Sequence, residues 1–111
     1  MKKLVLLVAF ISFTVVSLKA DPAKKVNLTF NNGVLSIEAV HPVKNVSAHY
    51  IDQFTVNVNG KTVKTVKLSQ QSSKEAETLD IAVPEIKSGS EIEVISRCNQ
   101  FGKKAGKLKV K

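Results

Sequence analysis

Three side chains in this sequence are of types that bind transition metals: His41, His49 and Cys98. They are the two histidines and the only cysteine of the chain. Imidazole nitrogen and thiolate sulfur together suit iron, copper or zinc. Three protein ligands also leave coordination positions open, as a catalytic metal requires. Spacing alone is weak evidence, because isolated histidines more often make ordinary hydrogen bonds. A metal site at these residues is therefore a hypothesis.

The two histidines stand at the edges of the longest irregular segment of the sequence, residues 41–48. His41 lies in a His-Pro-Val stretch, and His49 lies in an Ala-His-Tyr-Ile stretch. Long loops on a rigid sheet scaffold are where functional residues concentrate. A loop of this kind can curl and present both imidazoles to one point.

Cys98 lies where a predicted strand gives way to a turn. The alternation that includes Ile92 and Val94 places the thiol on the apolar face of that strand. Asn99 and Gly102 indicate a turn directly after it. Two interpretations follow. The residue fills the core, as free cysteines often do, or its thiol reaches a loop that leads to another strand and binds a metal there.

The first 20 residues have the composition of a bacterial secretory signal peptide. Lys2 and Lys3 give a basic start, an apolar run follows, and Ala20 is a small residue at the expected cleavage point. The apolar run is too short to span a bilayer comfortably. We therefore expect residues 1–20 to be removed, which leaves one small domain, residues 21–111, that is periplasmic or secreted and has no membrane attachment.

The charge of the chain excludes some partners and favours others. It has 17 basic and 9 acidic residues. Nearly all of the basic residues are scattered lysines, whereas nucleic-acid-binding proteins more often cluster arginines and aromatic residues on one face. We therefore expect no nucleic-acid partner, and a positive surface that attracts small anions or acidic proteins. One cysteine cannot form a disulfide within the chain, so stability must come from packing, a partner or a metal.

Alternation of apolar and polar residues predicts strands throughout residues 21–111. The apolar positions of successive strands are Val26, Leu28 and Phe30; Leu35, Ile37 and Ala39; Phe54, Val56 and Val58; Val66 and Leu68; Leu79, Ile81 and Val83; Ile92 and Val94; Leu108 and Val110. Asn-Gly pairs at residues 32–33 and 59–60 indicate hairpins. About seven short strands are typical of an all-β, immunoglobulin-like antiparallel sandwich.

Three short motifs, in this order, resemble the ferrous iron-binding domain of desulfoferrodoxin and neelaredoxin, the superoxide reductases. They are His41-Pro42, Ala48-His49-Tyr50-Ile51, and Cys98-Asn99 with Gly102 after it. The resemblance covers residues 41–111. It implies an immunoglobulin-like sandwich that holds ferrous iron with four equatorial histidines and one axial cysteine. The sixth coordination position of that iron is open and binds superoxide, which the iron reduces to peroxide.

The resemblance implies that His41 and His49 are equatorial ligands and that Cys98 is the axial one. The sequence departs from the family at two places. Phe101 stands where the family's Cys-Asn-x-His-Gly motif has its histidine, and residues 21–25 lack the histidine of the family's Glu-Lys-His stretch. With two of four histidines missing, we expect an incomplete iron site, for which copper and zinc are alternatives. Whether the chain is a superoxide reductase-like oxidoreductase stays open.

A second, weaker resemblance is to the Z subunit of the thiosulfate-oxidation carrier complex. It rests on residues 48–53, 58–61 and 87–92 and implies the same sandwich without a metal. That subunit binds a carrier with a sulfur intermediate on a cysteine arm. The expected partner is therefore a small anion such as superoxide, or else a redox or sulfur-carrier protein. A metal-free interaction module of the same fold is the third possibility.

Overall fold

The computed structural model describes residues 21–111, so the predicted signal peptide lies outside the described residues. Seven strands make up the described part of the chain. They are β1 (Lys25–Asn31), β2 (Val34–Val40), β3 (Ile51–Val58), β4 (Lys61–Lys67), β5 (Ala76–Ala82), β6 (Glu91–Cys98) and β7 (Lys103–Lys109). Residues 21–111 contain no helix long and apolar enough to cross a membrane.

The strands form two antiparallel sheets, which confirms the predicted all-β sandwich. One sheet has the order β1-β2-β5, and the other has the order β4-β3-β6-β7. The chain crosses between the sheets after β2, β4 and β5, as expected of an immunoglobulin-like sandwich. The strand boundaries differ slightly from the sequence prediction, because Leu68, Val83 and Val110 each lie one residue beyond the end of their strand.

Both predicted hairpins form at the Asn-Gly pairs. Asn32 and Asn59 have φ angles of 51°, and Gly33 and Gly60 follow with 80° and 84°. Two consecutive residues in the left-handed region make the turn that matches the twist of paired strands. These turns fix the register of β1 against β2 and of β3 against β4, and register decides which side chains face the core.

The core lies between the sheets and is made of the alternating apolar positions. Its largest fully buried apolar side chains are Phe54, Leu35, Ile37, Ile51 and Ile92. Burying one such side chain contributes roughly 1.5–3 kcal/mol. The sheets approach closely where β7 passes β1, since a Cβ atom at Gly106 would overlap the carbonyl oxygen of Val26.

The topology gathers several chain segments at one end of the sandwich. β2 ends there at Val40, β3 starts there at Ile51, and β6 ends there at Cys98. Ile51 and Cys98 face each other in the β3–β6 ladder. The loop before β3 and the turn after β6 therefore leave the sheets side by side.

Candidate metal centre

The structure brings together the three side chains that the sequence singles out. His41 follows the last residue of β2, His49 lies in the loop before β3, and Cys98 is the last residue of β6. One potential ligand atom from each lies within 4.8 Å of the others. His41 and Cys98 are buried, with 1% and 4% of their surfaces exposed, and His49 is half-buried.

β3 contains a bulge near its start, close to the candidate metal centre. The ladder pairs Ile51 with Cys98 and Gln53 with Arg97, which leaves Asp52 as the extra residue. A bulge of this kind bends a strand and redirects its side chains. The Asp52 carboxylate then accepts two hydrogen bonds from Arg97, at 2.8 and 3.2 Å. These bonds, and the charge of Asp52, raise the pKa of Arg97 above its usual value.

Gln71 fixes the orientation and the tautomer of His41. Its Nε2 donates to the carbonyl oxygens of His41 and Ser73, at 2.7 and 2.9 Å. Its Oε1 accepts the backbone N–H of Ile51 at 3.2 Å and lies 2.8 Å from Nδ1 of His41. Because Oε1 can only accept, Nδ1 of His41 must carry a proton. Nε2 of His41 is therefore the ring nitrogen that remains for a metal, and in this structure it lies within hydrogen-bond distance of the Asp21 carbonyl oxygen.

Asp21 lies against both histidines. Its carbonyl oxygen is 2.9 Å from Nε2 of His41, and its Oδ2 is 3.0 Å from Nε2 of His49. The second contact is close but is not aligned as a hydrogen bond. Nε2 of His49 is buried, and it has no hydrogen-bond partner in the described part of the chain. The two rings meet edge to face, with centroids 4.9 Å apart and an interplanar angle of 89°.

The turn after β6 holds the sulfur of Cys98. The backbone N–H of Gln100 donates to Sγ at 3.4 Å, and the N–H of Cys98 donates to the carbonyl of Gly102 at 2.9 Å. Gly102 has a φ of 104°, and a Cβ atom there would come within 2.9 Å of Cδ of Pro22. The turn therefore requires glycine at this position, and it packs against the segment that contains Asp21.

The donor set fits a metal ion. A metal–sulfur bond of about 2.3 Å and a metal–nitrogen bond of about 2.1 Å separate opposite ligands by about 4.4 Å at most. The three ligand atoms, which lie within 4.8 Å of one another, must therefore move closer together to surround one ion. Nε2 of His49 is buried and has no hydrogen-bond partner in the described residues, and a metal ion bound to it would satisfy it. His41, through Nε2, with His49 and Cys98 would hold it.

Sequence reasoning did not identify Gln71 or Asp21 as parts of this centre. Gln71 sits in a polar Ser-Gln-Gln-Ser-Ser run that reads only as a loop, although its side chain is 1% exposed. Asp21 precedes the first strand, and its residue type does not mark it as part of a metal site. Phe101, at the position of the missing family histidine, is 45% exposed, and its carbonyl accepts the N–H of Asp21.

Solved structures with the same fold include two superoxide reductases. The superoxide reductase (1Fe-SOR) from Giardia intestinalis superposes with a TM-score of 0.57 at 10% identity, over 80% of this chain and 99% of that one. The superoxide reductase (neelaredoxin) from Ignicoccus hospitalis gives 0.51 at 16% identity, over 78% and 77%. The fold is superoxide reductase-like. No protein-family model matches the chain, and no curated protein matches it in sequence.

Replacement of Gln71 by leucine should destabilise the protein strongly. It removes the partners of three buried groups, which are the N–H of Ile51, the carbonyl of His41 and Nδ1 of His41. Each buried group left unpaired costs about 1–3 kcal/mol, so we expect a loss of about 3 kcal/mol or more in urea unfolding. The control is Gln53→Leu, because Gln53 is half-buried and its side chain bonds only Thr55 in the described structure. Equal unfolding midpoints for the two variants would contradict the role given to Gln71.

Glu77 anchors the same loop from the first residues of β5. It is 4% exposed, and its Oε1 accepts the backbone N–H of Ser72 at 2.8 Å. Burial raises the pKa of the Glu77 carboxyl above its usual value, and the hydrogen bond from Ser72 opposes this only in part. A raised pKa in the folded state means that this group favours folding at low pH and that the contribution is lost as the carboxyl ionises.

Glu77→Gln should therefore stabilise the protein at neutral pH. The amide keeps an oxygen for the N–H of Ser72 and removes the buried charge. The gain over the unmodified chain should be present at pH 7 and shrink towards zero below about pH 4.3, where glutamate in the unfolded chain is protonated. Thermal unfolding of both proteins from pH 3.5 to 7.5 measures it. A difference that stays constant across this range, or a less stable variant at pH 7, would contradict the assignment.

Proposed function

We propose that this chain is an exported metal-binding domain that holds one transition-metal ion, iron in the first instance, at His41, His49 and Cys98. We further propose that the bound ion takes part in redox chemistry on superoxide. The observation that carries the proposal is the convergence of two imidazoles and one thiol within 4.8 Å, on a fold that superposes on superoxide reductases.

The residues of the chain divide the work at such a site. Cys98 supplies the sulfur, and the backbone N–H of Gln100 donates a hydrogen bond to it. Gln71 occupies Nδ1 of His41, which leaves Nε2 as the nitrogen that would bind a metal. Ferrous iron, when bound there, would supply the electron that reduces superoxide to peroxide.

A small anion would reach the site from the side of His49. The His49 side chain is 19% exposed and the Asp21 side chain is 55% exposed, whereas His41 and Cys98 are buried. The positive net charge of the chain favours the approach of anions in general. With Phe101 in place of a family histidine, the proposed centre has fewer nitrogen ligands than the family implies. We expect weaker iron binding for that reason.

Docking of a sulfur-carrier protein on a sheet face has less support. Such a site would present an exposed apolar patch. In residues 21–111 the exposed large hydrophobic residues are Val34 and Phe101, which lie at opposite ends of the sandwich. These two residues do not form one patch, so they do not support this alternative.

Metal content after anaerobic loading tests the proposal. Residues 21–111, purified after incubation with ferrous iron, should retain about one iron per chain through gel filtration, and oxidation should produce a visible sulfur-to-iron charge-transfer band. Cys98→Ser should lose the band, and His49→Ala should lose most of the iron, because each removes one of three protein ligands. Superoxide consumption is then compared between the loaded protein and the variants.

The matched control is Ser96→Ala, a buried change two residues earlier in β6 whose hydroxyl bonds the carbonyl of Lys104 rather than the centre. It should keep both the iron and the band. Absence of retained iron in the unmodified protein, with its fold intact by circular dichroism, would overturn the proposed metal site. Retained iron with no superoxide consumption would leave metal binding standing and overturn the redox assignment.

A further inference from the structure

The turn after Cys98 is bonded to the loop that contains His49 by one side chain in particular. The N–H of Tyr50 donates to Oδ1 of Asn99 at 2.8 Å, and Nδ2 of Asn99 donates to the carbonyl of Ala48 at 3.1 Å. The backbone N–H of Asn99 donates to the carbonyl of Tyr50 at 2.9 Å. Asn99 thus bonds the residue before His49 and the residue after it.

From this arrangement we infer that Asn99 is the positioning residue of the centre: it fixes the backbone of His49 relative to Cys98. The inference rests on the proposed metal site and deepens it. Asn99 is adjacent to Cys98 in the chain, and its side chain bonds the residues on both sides of His49. It therefore sets the distance between the backbones of Cys98 and His49. Gln100 adds a longer bond of 3.3 Å to the same Ala48 carbonyl.

The chemistry of asparagine explains why this side chain suits the position. The pairing of β3 with β6 ends at Ile51 and Cys98. The N–H of Tyr50 therefore has no backbone carbonyl of β6 to bond, and it bonds the Asn99 side chain instead. The amide of Asn99 provides an acceptor for that N–H and a donor for the Ala48 carbonyl on one planar group. Aspartate would keep the acceptor but place a second oxygen against the Ala48 carbonyl.

The other end of the same strand pair offers a matched control. There the N–H of Glu91 donates to Oδ1 of Asn59 at 2.9 Å, and the N–H of Asn59 donates to the carbonyl of Glu91 at 2.8 Å. Asn59 therefore repeats two of the three bonds of Asn99, whereas its Nδ2 makes no hydrogen bond within residues 21–111. Asparagine and aspartate both tolerate its φ of 51°.

The test compares Asn99→Asp, Asn99→Ala and Asn59→Asp by titration with Co²⁺, whose sulfur-to-cobalt band and visible d–d bands report the ligand geometry. Loss of a side chain that orients a ligand typically lowers metal affinity by about 10- to 100-fold. We expect this for both Asn99 variants, with altered d–d bands, and no change for Asn59→Asp. The added negative charge of Asn99→Asp would by itself strengthen cation binding, so a weaker affinity there identifies lost positioning.

Amide hydrogen exchange of the metal-free proteins separates this inference from the proposed function. In Asn99→Ala the Tyr50 N–H should exchange faster, while the N–H of Val43, which bonds the Lys74 carbonyl, should not change. Unchanged Tyr50 exchange, or a cobalt affinity and spectrum equal to those of the unmodified protein, would overturn the role of Asn99. Failure of the unmodified protein to bind cobalt, with the Tyr50 effect present, would overturn the proposed function and leave Asn99 as the residue that positions His49.

Discussion

The buried amide of Gln71 is the constraint on which this end of the sandwich depends. One side chain provides the partners for the backbone N–H of Ile51, the carbonyls of His41 and Ser73, and Nδ1 of His41. These groups come from the start of β3, from the end of β2 and from the loop before β5. Without that amide the groups of Ile51 and His41 would be buried and unpaired, which costs more than a typical hydrogen bond contributes. The oxygen that accepts the N–H of Ile51 also orients the ring of His41.

The candidate centre follows from how the strands end. Antiparallel pairing puts the first residue of β3 opposite the last residue of β6, so Ile51 and Cys98 meet at the rim of the core. The bulge at Asp52 lets Ile51 and Phe54 both stay buried. A loop that enters β3 is then necessarily beside the turn that leaves β6. His49 and Cys98 are close because their strands are paired, and the buried His41 completes the group from the other sheet.

Much of this fold could be predicted from sequence because its signals are local. Alternation of apolar residues gave the strands, and the Asn-Gly pairs gave the two hairpins, whose positive φ angles need only two neighbouring residues to specify. The candidate ligands could be named because histidine and cysteine are scarce here and chemically distinctive. Gln71 and Asp21 could not be found in the same way. Their roles arise from contacts with residues at least 20 positions away, and one glutamine in a polar run gives no sign of being buried.

The central claim is that one metal ion is bound jointly by His41, His49 and Cys98. X-ray absorption at the iron edge of the anaerobically loaded protein measures this most directly, because it reports the identity and distance of the atoms bound to the metal. If the three residues bind one ion, the spectrum should show one sulfur at about 2.3 Å and imidazole nitrogens at about 2.0–2.2 Å, and the sulfur should be absent in Cys98→Ser. A spectrum with oxygen neighbours alone, unchanged by that substitution, would show that the iron is bound elsewhere and would contradict the account.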